Sequence, residues 1–474
     1  MPMPAFDLII RQGLVATASD AVVCDIGVRD GKIAALAERL TDAARVIDAE
    51  GMIVTPGGVD AHCHLDQPTT DGSVMADDFL SGTISAAFGG TTTVIPFVFQ
   101  PKGQPMQPAI ADYHARAEGK PVIDYGFHLI VTDPSPPVLA DLPRLVDEGY
   151  TSFKVYMTYD DLKLADRQIL DVLALARRHG ALVMIHAEND DCIAWLTDRL
   201  EEQGQTAPIF HTQAHAAIVE REATHRAVSL SEIVDAPILI VHVSGAEAVA
   251  QIRAAQGRGR RIFAETCPQY LFLTAEDLDA TGFEGAKCVC SPPPRDKANQ
   301  GAIWNGLADG AFTIFSSDHA PFRYDDPTGK KLAGDHAAFR NIPNGVPGLE
   351  TRLPLLFSEG VNGGRISLTR FVELTATNPA KLYGLYPRKG TIAIGADADL
   401  AIWDPDRRVT LSNAMLHHNV DYTPYEGMRL RGWPVATVSR GEIVCSDGVL
   451  LARPGRGRFL PRARSTITGG GASL

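Results

Sequence analysis

The middle of the chain alternates short apolar segments with helical segments, and this alternation restricts the possible folds more than any other feature of the sequence. Helical stretches such as 171–180 and 246–256 lie between segments that have the length and composition of buried strands. Strands that are apolar on both faces and are separated by helices are typical of parallel sheets. We count eight such strand segments, at 52–62, 91–98, 122–131, 151–157, 181–186, 237–243, 261–266 and 312–317.

Eight strands with helices between them are the number required for a (β/α)8 barrel. An open doubly wound sheet is the alternative, but no GxGxxG motif opens a helix after the first strand, and nothing else favours that fold. We therefore predict an α/β protein built on a TIM-like barrel.

Both ends of the chain have a different texture from the middle. From Phe6 to Thr55, and again from Lys389 to about Arg453, short strand-like segments are separated by Gly and Asp-Gly turn signals. One small β-sandwich domain built from both ends, with the barrel inserted between them, explains this pattern. The tail is rich in Gly, Arg and Ser and is expected to be extended or disordered. The predicted boundaries are 1–55 and 388–454 for the β-sandwich domain, 56–387 for the barrel and 455–474 for a C-terminal extension.

Composition excludes several classes of function. The formal net charge of −13 argues against a nucleic-acid partner, because no basic stripe is present to neutralise phosphates. No run of about 18 apolar residues exists, so we expect no spanning helix and no membrane partner. The first residues, MPMPAFDLIIRQG, lack the charged segment and apolar core of a signal peptide. By elimination, we expect a cytoplasmic protein.

The seven cysteines do not form a disulfide framework. Their number is odd and their spacing irregular, which favours a reducing compartment. Cys288 and Cys290 would share a face on a strand, but no second Cys or His pair follows at the spacing of a zinc site. We expect these two side chains to pack within a strand.

Polar residues interrupt the apolar strands near their carboxyl ends, where a barrel carries its functional groups. Any single histidine at a strand end is more often a hydrogen-bonded structural residue than a ligand. Several imidazoles, a lysine and a carboxylate at the same rim instead indicate a set of metal ligands. This set consists of His62, His64, Lys154, His186, His242 and Asp318. The alternation of His62 and His64 places both rings on one face of an extended segment.

Lys154 is the unusual member of this set. A protonated ammonium cannot bind a metal, and an apolar strand beside cations would disfavour it. If its amine carries a carboxyl group derived from CO2, the side chain becomes an anion with two oxygens that can bridge two cations. A salt bridge to a nearby acid is the structural alternative for Lys154 alone.

Several longer strings resemble the dihydropyrimidinase and hydantoinase branch of the amidohydrolase superfamily. They include GGVDAHCHLDQP, SFKVYMTY, IHAEN, IVHVSG, ETCPQYL, CSPPPR, SSDHAPF and IPNGVPGLE, and the likeness runs from Asp7 to about Leu460. The resemblance implies that His62, His64 and Asp318 bind one zinc ion. It also implies that His186 and His242 bind a second zinc ion, and that carboxylated Lys154 bridges the two.

The resemblance also implies roles for three further residues. Tyr159 matches the tyrosine whose hydroxyl stabilises the tetrahedral oxyanion. Ser291 and Asn344 match positions whose backbone groups hold the amide edge of the substrate ring. The structural alternatives are that Tyr159 packs at the barrel rim and that Ser291 and Asn344 are ordinary loop residues.

The implied activity is hydrolytic opening of a dihydropyrimidine or hydantoin ring to an N-carbamoyl amino acid. Two cations that share a water lower its pKa from about 15.7 towards about 7 and so provide a hydroxide at neutral pH. Asp318 would act as general base and then as general acid towards the departing nitrogen. The resemblance further implies a homotetramer. A scaffold relative without catalysis would lack several rim residues, and this chain keeps them all.

The chain departs from the family pattern after HCHLDQP. The segment from Thr69 to Ser73 is polar and acidic where an aromatic-containing segment is usual. If it lines the pocket, phenyl-substituted rings are expected to be poor substrates compared with small or polar rings.

Related cyclic amidohydrolases that act on allantoin, an imide or a lactam are the alternative. Dihydroorotases carry an arginine where this chain has Asp66, and Asp66 would repel a substrate carboxylate. Allantoinases usually show an EPG-type continuation at positions occupied here by Asp66, Gln67 and Pro68. Four further histidines are interpreted as structural, with the last the best candidate to line the site: His128, His211, His215 and His319.

Overall fold

A computed structural model describes residues 4–468. Its central unit is a parallel barrel, which confirms the predicted fold class. The third barrel strand consists of two short pieces, β8 and β9, and each of the other barrel strands is continuous. The barrel strands are β6 Gly58–Cys63, β7 Thr91–Phe99, β8 Asp124–Tyr125, β9 His128–Ile130, β10 Ser152–Tyr156, β11 Leu182–His186, β12 Ile238–Ile240, β13 Ile262–Thr266 and β14 Ile314–Phe315.

Neighbouring barrel strands pair in parallel in chain order, from β6 through to β14. The remaining seam, between β14 and β6, is closed just beyond the strand ends. There the Asp318 amide donates to the carbonyl of His62 at 2.9 Å, and Cys63 forms a parallel bridge with His319. Two predicted metal ligands therefore lie on the segments that close the barrel.

The helices lie between the strands, and α4 and α8 correspond to the helical segments expected from the sequence. α11 and α12 each continue as a π-helical segment, Phe357–Asn362 and Glu373–Thr377. The α-helices are α1 Phe79–Phe88, α2 Met106–Ala117, α3 Pro136–Asp147, α4 Asp166–His179, α5 Asp190–Glu202, α6 His211–Ala214, α7 Ala217–Val234, α8 Ala246–Gly257, α9 Gln269–Phe272, α10 Lys297–Asp309, α11 Arg352–Leu356, α12 Leu368–Val372 and α13 Asn378–Leu382. Within residues 4–468, none of the helices is long and apolar enough to cross a membrane.

The two ends of the chain form a second, mostly antiparallel sheet. Its N-terminal and C-terminal strands meet where β5 pairs antiparallel with β15. A separate apolar core, which includes Ile10, Val54 and Ile402, lies within this sheet. The domain boundaries given above remain predictions. The strands of this terminal sheet are β1 Phe6–Ala16, β2 Ala21–Arg29, β3 Lys32–Ala37, β4 Ala43–Asp48, β5 Ile53–Pro56, β15 Leu400–Thr410, β16 Arg429–Ser439, β17 Glu442–Ser446 and β18 Val449–Leu450.

The barrel strands are buried on both faces, as their apolar composition predicts. Side chains that include Ile95, Met184 and Leu239 form one buried cluster together with residues of α13. Other strand side chains pack outward against the helices in the largest cluster. These two layers hold the strand ends, and the polar residues on them, in fixed positions.

Between Gly455 and Thr468 the C-terminal extension is extended chain that lies against the barrel. The Tyr125 amide donates to the Arg458 carbonyl, and the Leu460 amide donates to the Tyr125 carbonyl. This part of the expected extended or disordered arm is therefore ordered by backbone hydrogen bonds. Residues 469–474 lie outside the described residues.

The expectation that Cys288 and Cys290 pack within a strand is wrong. Cys288 ends a 3-10 helix, Glu284–Cys288, and Cys290 follows in irregular chain. Both side chains are buried, so the prediction that they pack in the interior is confirmed, whereas the predicted strand is not found there.

Candidate metal and substrate site

A cavity of about 720 Å³ opens at the carboxyl ends of the barrel strands. Because β6 to β14 run parallel, the residues that end them meet at one rim. All the residues proposed from the sequence line this cavity, including the three assigned to the substrate. They are His62, His64, Lys154, Tyr159, His186, His242, Ser291, Asp318 and Asn344.

His62, His64 and Asp318 form a compact group of potential ligands. Asp318 Oδ1 lies 3.2 Å from His62 Nε2 and 3.5 Å from His64 Nε2. One ligand atom from each residue lies within 4.8 Å of the other two, which suits a single ion. Burial raises the pKa of Asp318, but His62, His64 and Lys154 outweigh burial and lower it overall. The carboxylate is therefore anionic at neutral pH.

His186, His242 and Lys154 complete the rim on the other side. The rings of His186 and His242 lie 4.4 Å apart between centroids, and the His62 ring lies 5.5 Å from the His242 ring. Lys154 is completely buried, and its Nζ lies 3.4 Å from His62 Nε2. Within residues 4–468, no carboxylate forms an ion pair with Lys154, so the predicted structural alternative of a salt bridge is not observed.

Lys154 lies in a buried site beside two aromatic rings. Its Nζ lies 5.0 Å from the centroid of the Phe97 ring and 5.2 Å from that of Tyr156. Burial lowers its pKa to about 8, although Glu265 and Asp318 act in the opposite direction. Only an uncharged amine reacts with CO2, and the lowered pKa makes the uncharged fraction at neutral pH larger than that of an exposed lysine.

The imidazoles are oriented by polar partners outside the cavity. His62 Nδ1 lies 2.6 Å from Glu265 Oε1, and His64 Nδ1 lies 2.7 Å from Gln67 Oε1. Each contact leaves Nε2 directed towards Asp318. In His186 the arrangement is reversed, because Nε2 contacts Glu188 at 2.7 Å and leaves Nδ1 free for the site. Partners of this kind are usual behind metal-binding histidines.

Sequence reasoning did not assign Glu265 and Glu188, although both occur in quoted strings. Glu188 also lies 2.8 Å from His215 Nδ1, and Glu265 also accepts from the His242 amide at 3.0 Å. Both side chains are completely buried. Each is a carboxylate in or just after an apolar strand, where a charged residue is rarely buried without a partner. This sequence feature could have identified them.

Tyr159, His242 and Asp318 have left-handed backbone conformations, with φ of 68°, 37° and 48°. This region is uncommon for residues other than Gly, Asn and Asp, and it costs free energy. In each case the chain turns sharply after a strand and directs the side chain into the cavity.

The residues present fit a pair of divalent cations. Four imidazoles and a carboxylate are ligands that zinc and similar metals accept. His242 Nδ1 is buried and has no hydrogen-bond partner within residues 4–468, which a wholly structural histidine would have. A carbamate on Lys154 would supply the additional oxygens required between two ions.

The three residues assigned to the substrate surround the same space. The Tyr159 ring lies 5.4 Å from that of His186, and burial raises the pKa of its hydroxyl well above the usual value. This hydroxyl is therefore a proton donor at neutral pH. Asn344 Oδ1 is buried without a partner within residues 4–468, and Ser291 Oγ lies 3.3 Å from His211 Nε2.

Two expectations about neighbouring residues are wrong. His319 does not line the cavity, because its Nε2 contacts Asp77 at 3.0 Å and its Nδ1 accepts from the Gly348 amide at 3.1 Å. Asp66 does not line the cavity either, and its carboxylate contacts Arg116 at 3.0 Å. Repulsion by Asp66 therefore gives no reason to exclude a substrate carboxylate.

All four of these further histidines, including His319, are interpreted as structural from the sequence, and the contacts of His319 agree with that interpretation. His128 contacts the Ala61 carbonyl at 2.9 Å and Ser152 Oγ, as that interpretation requires. His211 and His215 also line a second cavity, which shares Tyr159 with the first.

The polar segment from Thr69 to Ser73 lines the main cavity, with Thr69, Thr70 and Asp71 among the residues that contact it. The expectation that phenyl-substituted rings are poor substrates required this segment to line the pocket, and it does. Apolar side chains, including Phe322 and Leu332, line the same cavity.

Known proteins resemble this chain over nearly its whole length. The sequence model of the amidohydrolase family matches residues 53–444. A D-hydantoinase from Geobacillus stearothermophilus is 47% identical over 459 residues, covering 96% of this chain and 96% of that protein. A D-hydantoinase from Ralstonia pickettii is 44% identical, covering 97% and 99%.

A solved structure gives the same result. The crystal structure of dihydropyrimidinase from Brevibacillus agri NCHU1002 is 44% identical, with a TM-score of 0.94, and the match covers 97% of this chain and 99% of that one. The resemblance inferred from the sequence motifs is thereby confirmed. The chain belongs to the amidohydrolase family and, within it, to the group of the hydantoinases and dihydropyrimidinases.

Proposed function

We propose that this protein opens a hydantoin or dihydropyrimidine ring by hydrolysis of a cyclic amide bond and releases an N-carbamoyl amino acid. The observation that carries the proposal is the convergence on one cavity of the rim histidines, Asp318 and a buried Lys154 that has no carboxylate partner within residues 4–468. Tyr159, Ser291 and Asn344 border the same space. Relatives named for hydantoins and dihydropyrimidines support this substrate class.

The amidohydrolase family implies a binuclear metal centre. We propose that His62, His64 and Asp318 hold one zinc ion, that His186 and His242 hold the other, and that carboxylated Lys154 bridges them. When bound, such ions lower the pKa of a water molecule and polarise a carbonyl oxygen.

Protein side chains provide the proton transfers and the orientation. Asp318 is anionic and its Oδ1 lies between two imidazoles, so it can accept a proton from the attacking water and deliver it to the departing ring nitrogen. The Tyr159 hydroxyl donates to the developing oxyanion, a contribution of about 3 kcal/mol in comparable sites. Backbone groups of Ser291 and Asn344 hold the amide edge of the ring and fix its face.

A related reaction on another ring, such as allantoin, an imide or a lactam, is the second candidate. The polar segment from Thr69 to Ser73 favours small or polar substituents in either case. A scaffold role is disfavoured because all six proposed metal ligands are kept. We further propose a homotetramer, by resemblance, and a cytoplasmic location, which the seven unpaired cysteines support.

Ring opening by the purified protein tests the proposal. Dihydrouracil, hydantoin, phenylhydantoin, allantoin and dihydroorotate are supplied separately, and loss of the cyclic amide is followed. We expect turnover of the first two. Turnover of allantoin alone would instead assign the second candidate.

A further inference from the structure

Lys330 is completely buried behind the wall of the cavity and does not line it. Its ammonium donates to the carbonyl of Val289 at 2.8 Å and to that of Pro343 at 2.7 Å. Within residues 4–468, no carboxylate forms an ion pair with it, whereas the adjacent Lys331 contacts two aspartates. Burying an amine without an acid is costly, so this position requires an explanation.

The two carbonyls belong to the segments that carry Ser291 and Asn344. Val289 precedes Ser291 by two residues, and Pro343 directly precedes Asn344. The segments also contact each other, because the Gly345 amide donates to the Val289 carbonyl at 3.0 Å. Lys330 thus joins the two segments from the side opposite to the cavity.

The two segments cross where the Gly345 amide meets the Val289 carbonyl, and they pack closely at this crossing. The φ of Gly345 is +149°, and a Cβ at this position would lie 2.4 Å from the Ala320 Cβ and 2.6 Å from the Ala320 carbonyl oxygen. The crossing therefore has little room for adjustment by the backbone itself. Its spacing depends on the hydrogen bonds that reach it from behind.

We infer that Lys330 is a positioning residue that fixes the distance between the Ser291 and Asn344 segments and thereby sets the affinity for the ring. The inference rests on the proposed function, in which these segments hold the amide edge. Burial lowers the pKa of Lys330 to about 7. An uncharged amine retains two N–H groups, so both carbonyls can remain bonded on either side of that pH.

The kinetic consequence is specific. The proposed metal ligands and Asp318 lie on strand ends that Lys330 does not contact. Loosening the crossing weakens binding of the ring in the ground state and the transition state alike, which raises KM and leaves kcat largely intact. A residue needed only for folding would lower the amount of active protein without changing KM.

The test compares Lys330→Met, which keeps the length of the side chain but removes its donors, with Lys331→Met as the matched control. With hydantoin as substrate and metal content measured, we expect KM to rise about tenfold in Lys330→Met, with kcat within about threefold, consistent with the loss of two hydrogen bonds. Lys331→Met should match the unaltered protein. Lys330→Gln, which restores an NH2 donor, should recover part of the affinity, and it replaces Lys330→Met if that variant does not fold.

Amide hydrogen exchange gives a readout that needs no activity. We expect faster exchange at the amides of residues 287–291 and 344–346 of Lys330→Met, but not in strand β11 and not in Lys331→Met. An unchanged KM together with unchanged exchange in these segments would overturn the role of Lys330. If the unaltered protein opens none of the rings, the proposed function fails, and the exchange result alone decides whether Lys330 holds the crossing.

Discussion

At the scale of single residues, Asp318 combines two demands that would conflict elsewhere. In the proposed reaction it must remain anionic while largely buried, and it must accept a proton from the attacking water. His62 and His64 meet the first demand by lying within 3.5 Å of its Oδ1. Its left-handed backbone, with φ of 48°, directs the carboxylate into the cavity.

Asp318→Asn separates these demands, because the amide keeps the shape and one oxygen but cannot accept the proton. We expect kcat for hydantoin to fall by about 10²–10⁴-fold at saturating metal, the range attributed to general acid–base catalysis. Metal analysis of the same sample distinguishes loss of the base from loss of an ion. A kcat within about fivefold of the unaltered protein would contradict the role of Asp318.

Glu265 tests whether the partners behind the histidines matter. Glu265→Gln weakens the contact with His62 Nδ1, and we expect metal affinity to fall about 10–100-fold. Affinity is measured by competition with a chelator. Glu284→Gln, at a surface carboxylate next to Lys287, is the control and should have no effect.

The candidate site could be predicted from the sequence to the level of residues that touch the cavity. His62, His186 and Asp318 were identified because polar residues at strand ends are conspicuous among apolar neighbours. Glu188 and Glu265 were missed because their role depends on which ring they meet across the barrel. His319 is structural, as predicted, but its expected place at the cavity is wrong for a similar reason, since its partner Asp77 is distant in sequence.

At the scale of elements, the parallel strands place the site, and the loops after them line the cavity. The strands were predictable because burial on both faces gives continuous apolar segments. The division of the third strand into β8 and β9, and the 3-10 helix that ends at Cys288, were not. Short segments of this kind are fixed by tertiary packing rather than by local pattern.

The segment from Thr69 to Ser73 carries the prediction for selectivity. Its polar side chains offer little apolar contact to an aromatic substituent, so kcat/KM for phenylhydantoin should be at least about tenfold below that for hydantoin. Steady-state kinetics on both compounds, with dihydrouracil as an unsubstituted reference, measure this ratio. A strong preference for phenylhydantoin would refute the role of this loop.

At the scale of the whole molecule, Lys389 joins the barrel to the terminal sheet. Its Nζ lies 2.7 Å from Asp124 in β8 and 2.6 Å from Asp399, just before β15. Burial lowers the pKa of Lys389, but the neighbouring aspartates outweigh burial and raise it above the usual value. The Lys389 ammonium therefore stabilises the folded protein fully at any pH below the pKa of lysine in the unfolded chain. This stabilisation is lost only as the pH rises through the higher pKa of Lys389 in the folded protein.

Lys389→Met removes the cation that contacts Asp399 and leaves buried Asp124 with Arg440 as its remaining ion-pair partner among residues 4–468. We expect the free energy of unfolding to fall by about 3–5 kcal/mol at neutral pH, measured by denaturant titration. Lys32→Met removes a half-exposed lysine that contacts Asp397, a third aspartate beside Lys389, and it should cost less than about 1 kcal/mol. Equal stability of the two variants would show that the buried cluster does not join the two units energetically.

The central claim is that buried Lys154 unites the rim residues into one metal centre that opens cyclic amides. The most direct measurement is the metal content per chain, determined together with hydantoin turnover, for the unaltered protein and for Lys154→Ala. We expect about two ions per chain with turnover, and loss of both metal occupancy and activity in the variant. Full metal content and undiminished turnover in Lys154→Ala, or a metal-free unaltered protein after expression with adequate metal, would contradict the claim.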